Sequence, residues 1–185
     1  MKKVVGLTCL LALLLASACG SGHSSAKAPS PSPSVTQLSI RESTRRYFAE
    51  IQPIIVADTR ASTVFNRAQK KWNQNDTATW PAFRKAVDRG MEEITSSEVK
   101  LMAINPPPNL KSAHALLSQS EHQIYNECMY LSENLRLKLP YGQWWKGWEK
   151  LSVALDTTNH LWVVALRAEA RRQGLTIPPK LLSAM

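Results

Sequence analysis

The sequence predicts an all-α domain, an antiparallel up-down-up-down four-helix bundle, on three observations. Four long stretches carry apolar residues at helical spacing, and junctions rich in proline, glycine or asparagine separate them. No segment shows sustained strand alternation or an Asn-Gly hairpin. Long amphipathic helices with short connections favour antiparallel neighbours. The domain occupies residues 38–185, about 150 residues, which suits one core.

The first helix carries Tyr47, Ile51, Ile54, Asp58, Ala61, Phe65, Ala68 and Trp72 at alternating steps of four and three. That is the period of a helix packed along its whole length. Phe48 and Ile55 widen the stripe, and Pro53 should kink the helix or start its main part. Thr79-Trp80-Pro81 opens the second helix, a hydroxyl cap followed by a first-turn proline. Its stripe runs Trp80, Phe83, Val87, Gly90, Ile94, Ser97, Leu101 and Ile104, with Gly90 and Ser97 allowing a close helix approach. Asn105-Pro106-Pro107-Pro108-Asn109 stops it, because prolines remove donors and disfavour helical geometry before them.

The third helix, from about Leu110 to Leu139, presents Ala113, Leu117, Ile124, Cys128, Leu131 and Leu135, and Pro140-Tyr141-Gly142 turns the chain. The fourth presents Trp144, Trp148, Leu151, Leu155, Trp162 and Leu166, with Gly174 as its C-cap. Arg167, Arg171 and Arg172 complement its dipole. The tail, Leu175 to Met185, is expected to pack loosely along the helices.

Ahead of the domain, Lys2 and Lys3 precede an apolar run, Val4 to Leu15. This fits an export signal and is shorter than the roughly 20 apolar residues a membrane span needs. The sequence Leu15-Ala16-Ser17-Ala18-Cys19-Gly20 resembles the lipobox of bacterial lipoprotein signal peptides, with Ala16 where that family usually has leucine. The resemblance implies cleavage of residues 1–18 and a lipid anchor on Cys19, with acyl chains of the palmitate type in a membrane at its extracytoplasmic face. A plain signal cut near Ala18 is the alternative. Residues 19–37 hold six serines and the alternating Pro29, Pro31 and Pro33, with almost nothing apolar, and read as a disordered spacer.

Net charge is +9 and drops by two when Lys2 and Lys3 leave with the signal. Basic residues are spread through the helices. Such a surface favours anionic lipid or cell-wall polymers near an anchor, or is merely a solvated face. No nucleic-acid module is recognisable. Once Cys9 is cleaved away and Cys19 is lipidated, only Cys128 remains, so no disulfide forms within the mature chain. Cys128 reads as a small buried hydrophobe.

The run Ile104-Asn105-Pro106-Pro107-Pro108-Asn109-Leu110-Lys111-Ser112-Ala113-His114 resembles a junction found in bacterial lipoproteins with helical domains, where a Pro-Pro turn precedes an Ala-His pair opening the next helix. Tyr47 and Pro53 resemble the same group, which implies the helical fold and no particular activity.

Asp58, His114 and Glu121 are the candidate ligand or metal contacts. Asp58 lies on an apolar seam, where a carboxylate is costly unless paired. Its expected partner is an arginine, a tryptophan N–H or His114, either to fix helix register or to complete a metal site with Glu121. His114 and Glu121 share a helix face, and His122 points about 100° away. A local hydrogen bond near the proline-rich turn is the alternative for His114. In Gln143-Trp144-Trp145-Lys146-Gly147-Trp148, Trp144 and Trp148 share one face and read as core. Trp145 points aside and is the candidate for glycan or membrane contact. No nucleophile–base arrangement and no cofactor motif is readable. The expectation is therefore a non-enzymatic binding or scaffolding module without a cofactor, with a metal- or cofactor-binding bundle as the alternative.

Overall fold

The computed structural model describes the backbone of residues 35–185 and the side chains of residues 39–185. The expected signal, Cys19 and the expected spacer up to residue 34 lie outside the described residues. Within them there is no strand. Four long helices, α1 (Val35–Lys71), α2 (Trp80–Met102), α3 (Lys111–Arg136) and α4 (Tyr141–Arg172), are followed by a short α5 (Pro179–Leu182).

α1 opens at Val35, just ahead of the boundary read from composition, and runs unbroken through Pro53. The proline therefore does not start the helix. Its missing N–H leaves the chain at an exposed position, where water can serve the orphaned carbonyl. At the start of α2, the Thr79 hydroxyl turns back into the preceding loop and donates to the Asp76 carbonyl at 2.7 Å, so it does not cap the helix. α3 and α4 end alike. Leu139 N–H reaches the Asn134 carbonyl, and Leu175 N–H reaches the Ala170 carbonyl at 2.8 Å. Each closure needs a left-handed residue just before it: Gly174 at φ 58° after α4, and Lys138 at φ 53° after α3.

The core falls into two parts. At one end Tyr47, Ile51, Leu101, Leu117, Trp162 and Leu166 pack together. The tail belongs to this end: Leu181 is fully buried and Ile177 nearly so, and the Thr59 hydroxyl donates to the Ala184 carbonyl at 3.2 Å. The expectation of a loose tail is therefore corrected. Ile177 ahead of α5 and Leu181 within it each bury an apolar side chain against this part of the core, and that seats the tail. At the other end Phe83, Val87, Leu131, Leu135 and Trp144 form a second cluster, with the partly buried Trp72 packed against it. Trp72 stacks on Phe83 with ring centroids 4.9 Å apart and meets Tyr141 edge-on at 5.5 Å.

Gly147 on α4 leaves room for the side chain of Tyr130 on α3. A Cβ there would overlap the Tyr130 hydroxyl, which donates to the Trp144 carbonyl at 2.9 Å. In an unhindered helix alanine outranks glycine by about 1 kcal/mol. Here Gly147→Ala is expected to destabilise by about 1–3 kcal/mol, as overpacking does, when followed by chemical denaturation. A gain in stability would contradict this contact.

Consecutive helices pack closely, α1 on α2, α2 on α3 and α3 on α4, with no comparable backbone approach between α1 and α4. The open seam explains why the α1 stripe is buried from Tyr47 to Asp58 and only half-buried at Ala61, Phe65, Ala68 and Trp72.

Candidate functional site: a buried acid pair beside an inter-helix cleft

Between the two core parts lies a polar layer. Asp58 on α1 and Glu121 on α3 are only 7% and 3% exposed, and Ser97 on α2 is buried beside them. Helical phase puts all three inward. Asp58 and Ser97 sit in register with the leucine and isoleucine positions of their stripes, and Glu121 follows Leu117 by one turn. Ser97 donates to Asp58 Oδ1 at 2.5 Å, and Asp58 and Glu121 are in hydrogen-bonding contact. While both are ionised, Asp58 Oδ2 and Glu121 Oε2 are buried acceptors with no donor. One shared proton supplies it.

Burial is the main force holding both carboxyls above their ordinary range. For Asp58, Glu93 adds to this, while Ser97, the Glu121 contact and Lys100 oppose it. For Glu121, the Asp58 carboxylate and Glu98 add to it. Two carboxyls sharing a dry site cannot both ionise without a large cost, so the pair keeps a proton at neutral pH. With all three groups buried, the layer's chemistry is to hold a proton and lock three helices in register.

His114 does not join this pair. Its Nδ1 lies 3.1 Å from the Tyr47 hydroxyl, the two rings meeting edge-on at 5.7 Å. Burial holds the imidazole below its ordinary pKa, partly offset by the Leu101 carbonyl, so it stays neutral and accepts from the phenol. His122 faces outward and pairs with Glu98 at 3.3 Å. Among the described residues no three His, Cys, Asp or Glu side chains converge to hold a metal ion. The trio Asp58, His114 and Glu121 is thus two partners and one outsider.

One helical turn from the layer, at Ala61, Ile94 and Ile124, a cleft of about 290 Å³ opens in the seam between α1 and α4. Its apolar wall includes Phe65, Cys128, Leu131 and Leu155, and Ser62, Asn66 and Asn159 add polar atoms. Small residues make the room: Ala61 and Ser62 on α1, and Gly90 on α2. A Cβ at Gly90 would stand 3.9 Å from the Cys128 sulfur, in ordinary contact with it. The Cys128 thiol is pushed up to about 12, first by burial and then by Glu127 and Asp88, so it stays protonated and unreactive.

The ionisable groups on this wall besides the thiol are Glu127 and Asp156. Glu127 Oε1 accepts from Trp148 Nε1 at 2.5 Å and from the Ser152 hydroxyl at 2.7 Å. Asn159 Oδ1 accepts from Ser120 at 2.6 Å and from Trp162 Nε1 at 3.1 Å. Both side chains are therefore held in place by α3–α4 contacts before anything enters the cleft.

Trp144 is 2% exposed and donates to the Leu139 carbonyl at 3.0 Å. Trp145 is partly exposed and makes no ring contact or hydrogen bond among the described residues. Two polar positions, the half-buried Asn109 and the buried Glu169, escape a search for apolar stripes altogether. Asn109, in the turn after the three prolines, donates to Glu169 Oε1 at 2.6 Å and to Thr44 Oγ1 at 3.0 Å. Arg172 closes on the other Glu169 oxygen at 2.5 Å. The proline-rich junction is in this way pinned to both α1 and α4. The spacing of Glu169 from Arg172 is its only sequence signal. Comparison of the chain with protein-family models, curated proteins and solved structures finds no match.

Proposed function

We propose that this chain is an exported lipoprotein whose residues 38–185 form a non-enzymatic binding or scaffolding module at the cell surface or in the periplasm. The signal of residues 1–18 is removed, Cys19 carries the lipid, and residues 19–37 space the domain from the membrane. The lipobox-like Ala16-Ser17-Ala18-Cys19 run supports the anchor. No described helix is long and apolar enough to cross a membrane. The surplus of basic residues suits anionic lipid or cell-wall polymer close to that anchor. The partly exposed Trp145 suits a sugar face or an interface.

In this proposal the four helices run up-down-up-down. Side-chain pairs support it, since in each helix pair the partner number falls as the first rises. Asp58 meets Ser97 while Phe65 meets Phe83. Glu121's neighbour His122 meets Glu98 while Ser132 meets Asp88. Ser120 meets Asn159 while Glu127 meets Trp148.

The binding role rests on one observation, the cleft to which all four helices contribute. Pockets between helices of a bundle are common ligand sites. Elemental analysis of the full mature chain, purified in detergent, tests this reading against a metal-binding one. A folded protein without stoichiometric metal is expected. Stoichiometric metal that His114→Ala removes would contradict it.

A further inference from the structure

We propose that the cleft between α1 and α4 takes a small organic cation, an amine carried on an apolar or aromatic body. This rests on the reading of the domain as a binding module and names the class of ligand it binds.

Charge and shape both select such a ligand. The chain is strongly basic, yet the charged residues on the cleft wall are both acidic, Glu127 and Asp156. No lysine, arginine or histidine lines it. Asp156 has no hydrogen bond or ion pair among the described residues. Glu127 is fixed through one oxygen by Trp148 and Ser152, and its second oxygen makes no hydrogen bond among the described residues. Two acceptors are thus presented to a cation without a protein counter-ion. Beneath them Phe65, Ile124, Leu131 and Leu155 offer an apolar wall. A cavity of about 150 Å³ accepts benzene, so about 290 Å³ accepts one ring with a short aminoalkyl arm. An anion would meet two carboxylates, and a neutral apolar molecule would leave the free oxygen of the half-buried Glu127 unpaired beside the apolar wall, while the exposed Asp156 stands at the rim.

The test uses the full mature chain in detergent and two probes with the same body, 2-phenylethylamine and 2-phenylethanol. Binding is followed by calorimetry. The amine is expected to bind saturably and at least tenfold more tightly than the alcohol, the ratio expected of one charge-assisted hydrogen bond. The double variant Glu127→Gln and Asp156→Asn should erase that preference, so that amine and alcohol bind it alike. Circular dichroism of the variant establishes that it is folded. Equal binding of the two probes overturns the cation assignment while leaving the cleft a ligand site. Binding of neither overturns the inference and withdraws the cleft from the proposed binding role.

Discussion

Trp144→Ala is expected to cost about 3–5 kcal/mol of folding stability, the range for emptying a buried tryptophan site. Three separate losses add at this position. The indole is 2% exposed, so its whole apolar surface leaves the core. Its ring contacts with Trp72 at 6.0 Å and Tyr141 at 5.1 Å disappear. Its N–H no longer satisfies the Leu139 carbonyl at the turn between α3 and α4. Trp145→Ala, one residue on, removes a partly exposed ring that meets no other, and should cost under about 1 kcal/mol. Urea unfolding of the two variants compares them directly. Equal losses would mean that Trp144 is not the anchor of the aromatic end.

The second large effect is a dependence of stability on pH that belongs to the acid pair. Both carboxyls of the pair are raised above their ordinary range, burial being the first cause for each. A carboxyl whose folded pKa is raised keeps its proton after the unfolded chain has released it. The pair's contribution is therefore fully present below about pH 4, the ordinary carboxyl range, and is lost as pH rises through the raised range of the pair. While one proton is held back, the slope is about 1.4 kcal/mol per pH unit. His114, with its lowered pKa, works in the opposite direction, its contribution falling away as pH drops below about 6.5. Comparing wild type with Glu121→Gln at each pH cancels that term. The amide also gives Asp58 Oδ2 a donor that needs no proton. From pH 6 to pH 8 the wild type should lose about 2–3 kcal/mol more than the variant. Parallel pH profiles would show that the pair does not hold a proton.

The α2 stripe is readable from sequence almost completely. Trp80, Phe83, Val87, Ile94, Ser97 and Leu101 are all buried, because α1 and α3 both pack along α2. The same periodicity in α1 over-reads the half after Asp58, where Ala61, Phe65 and Ala68 border the open seam. Periodicity reports which face of a helix is apolar and is silent on whether a partner closes over it. That gap in α1 is the cleft, and nothing in the α1 pattern alone distinguishes it from a sealed core.

The polar layer is half legible. Asp58 stands out because a charge on an apolar seam demands a partner. Its partners do not, since Ser97 reads equally well as a small residue for close approach and Glu121 as a free ligand. Which side chains face each other is set by axial offset between helices, and a single helix's sequence does not encode that offset. Asn109 and Glu169 escape for a related reason. Glu169 is buried because Asn109, 60 residues away in sequence, and Gln173 hydrogen-bond to it, and hydrophobic patterning does not register such positions.

The proposed place of this domain is the end of a lipid tether, so the most direct test is on Cys19. The full-length chain and its Cys19→Ser variant are expressed in a bacterial host, fractionated, and weighed intact by mass spectrometry. The unaltered protein should be found in the membrane fraction without residues 1–18 and carrying acyl mass, and the variant should lose both the added mass and the membrane association. A variant equally membrane-bound, with no mass difference beyond the single atom exchanged, would contradict the anchor and with it the proposed role at the cell envelope.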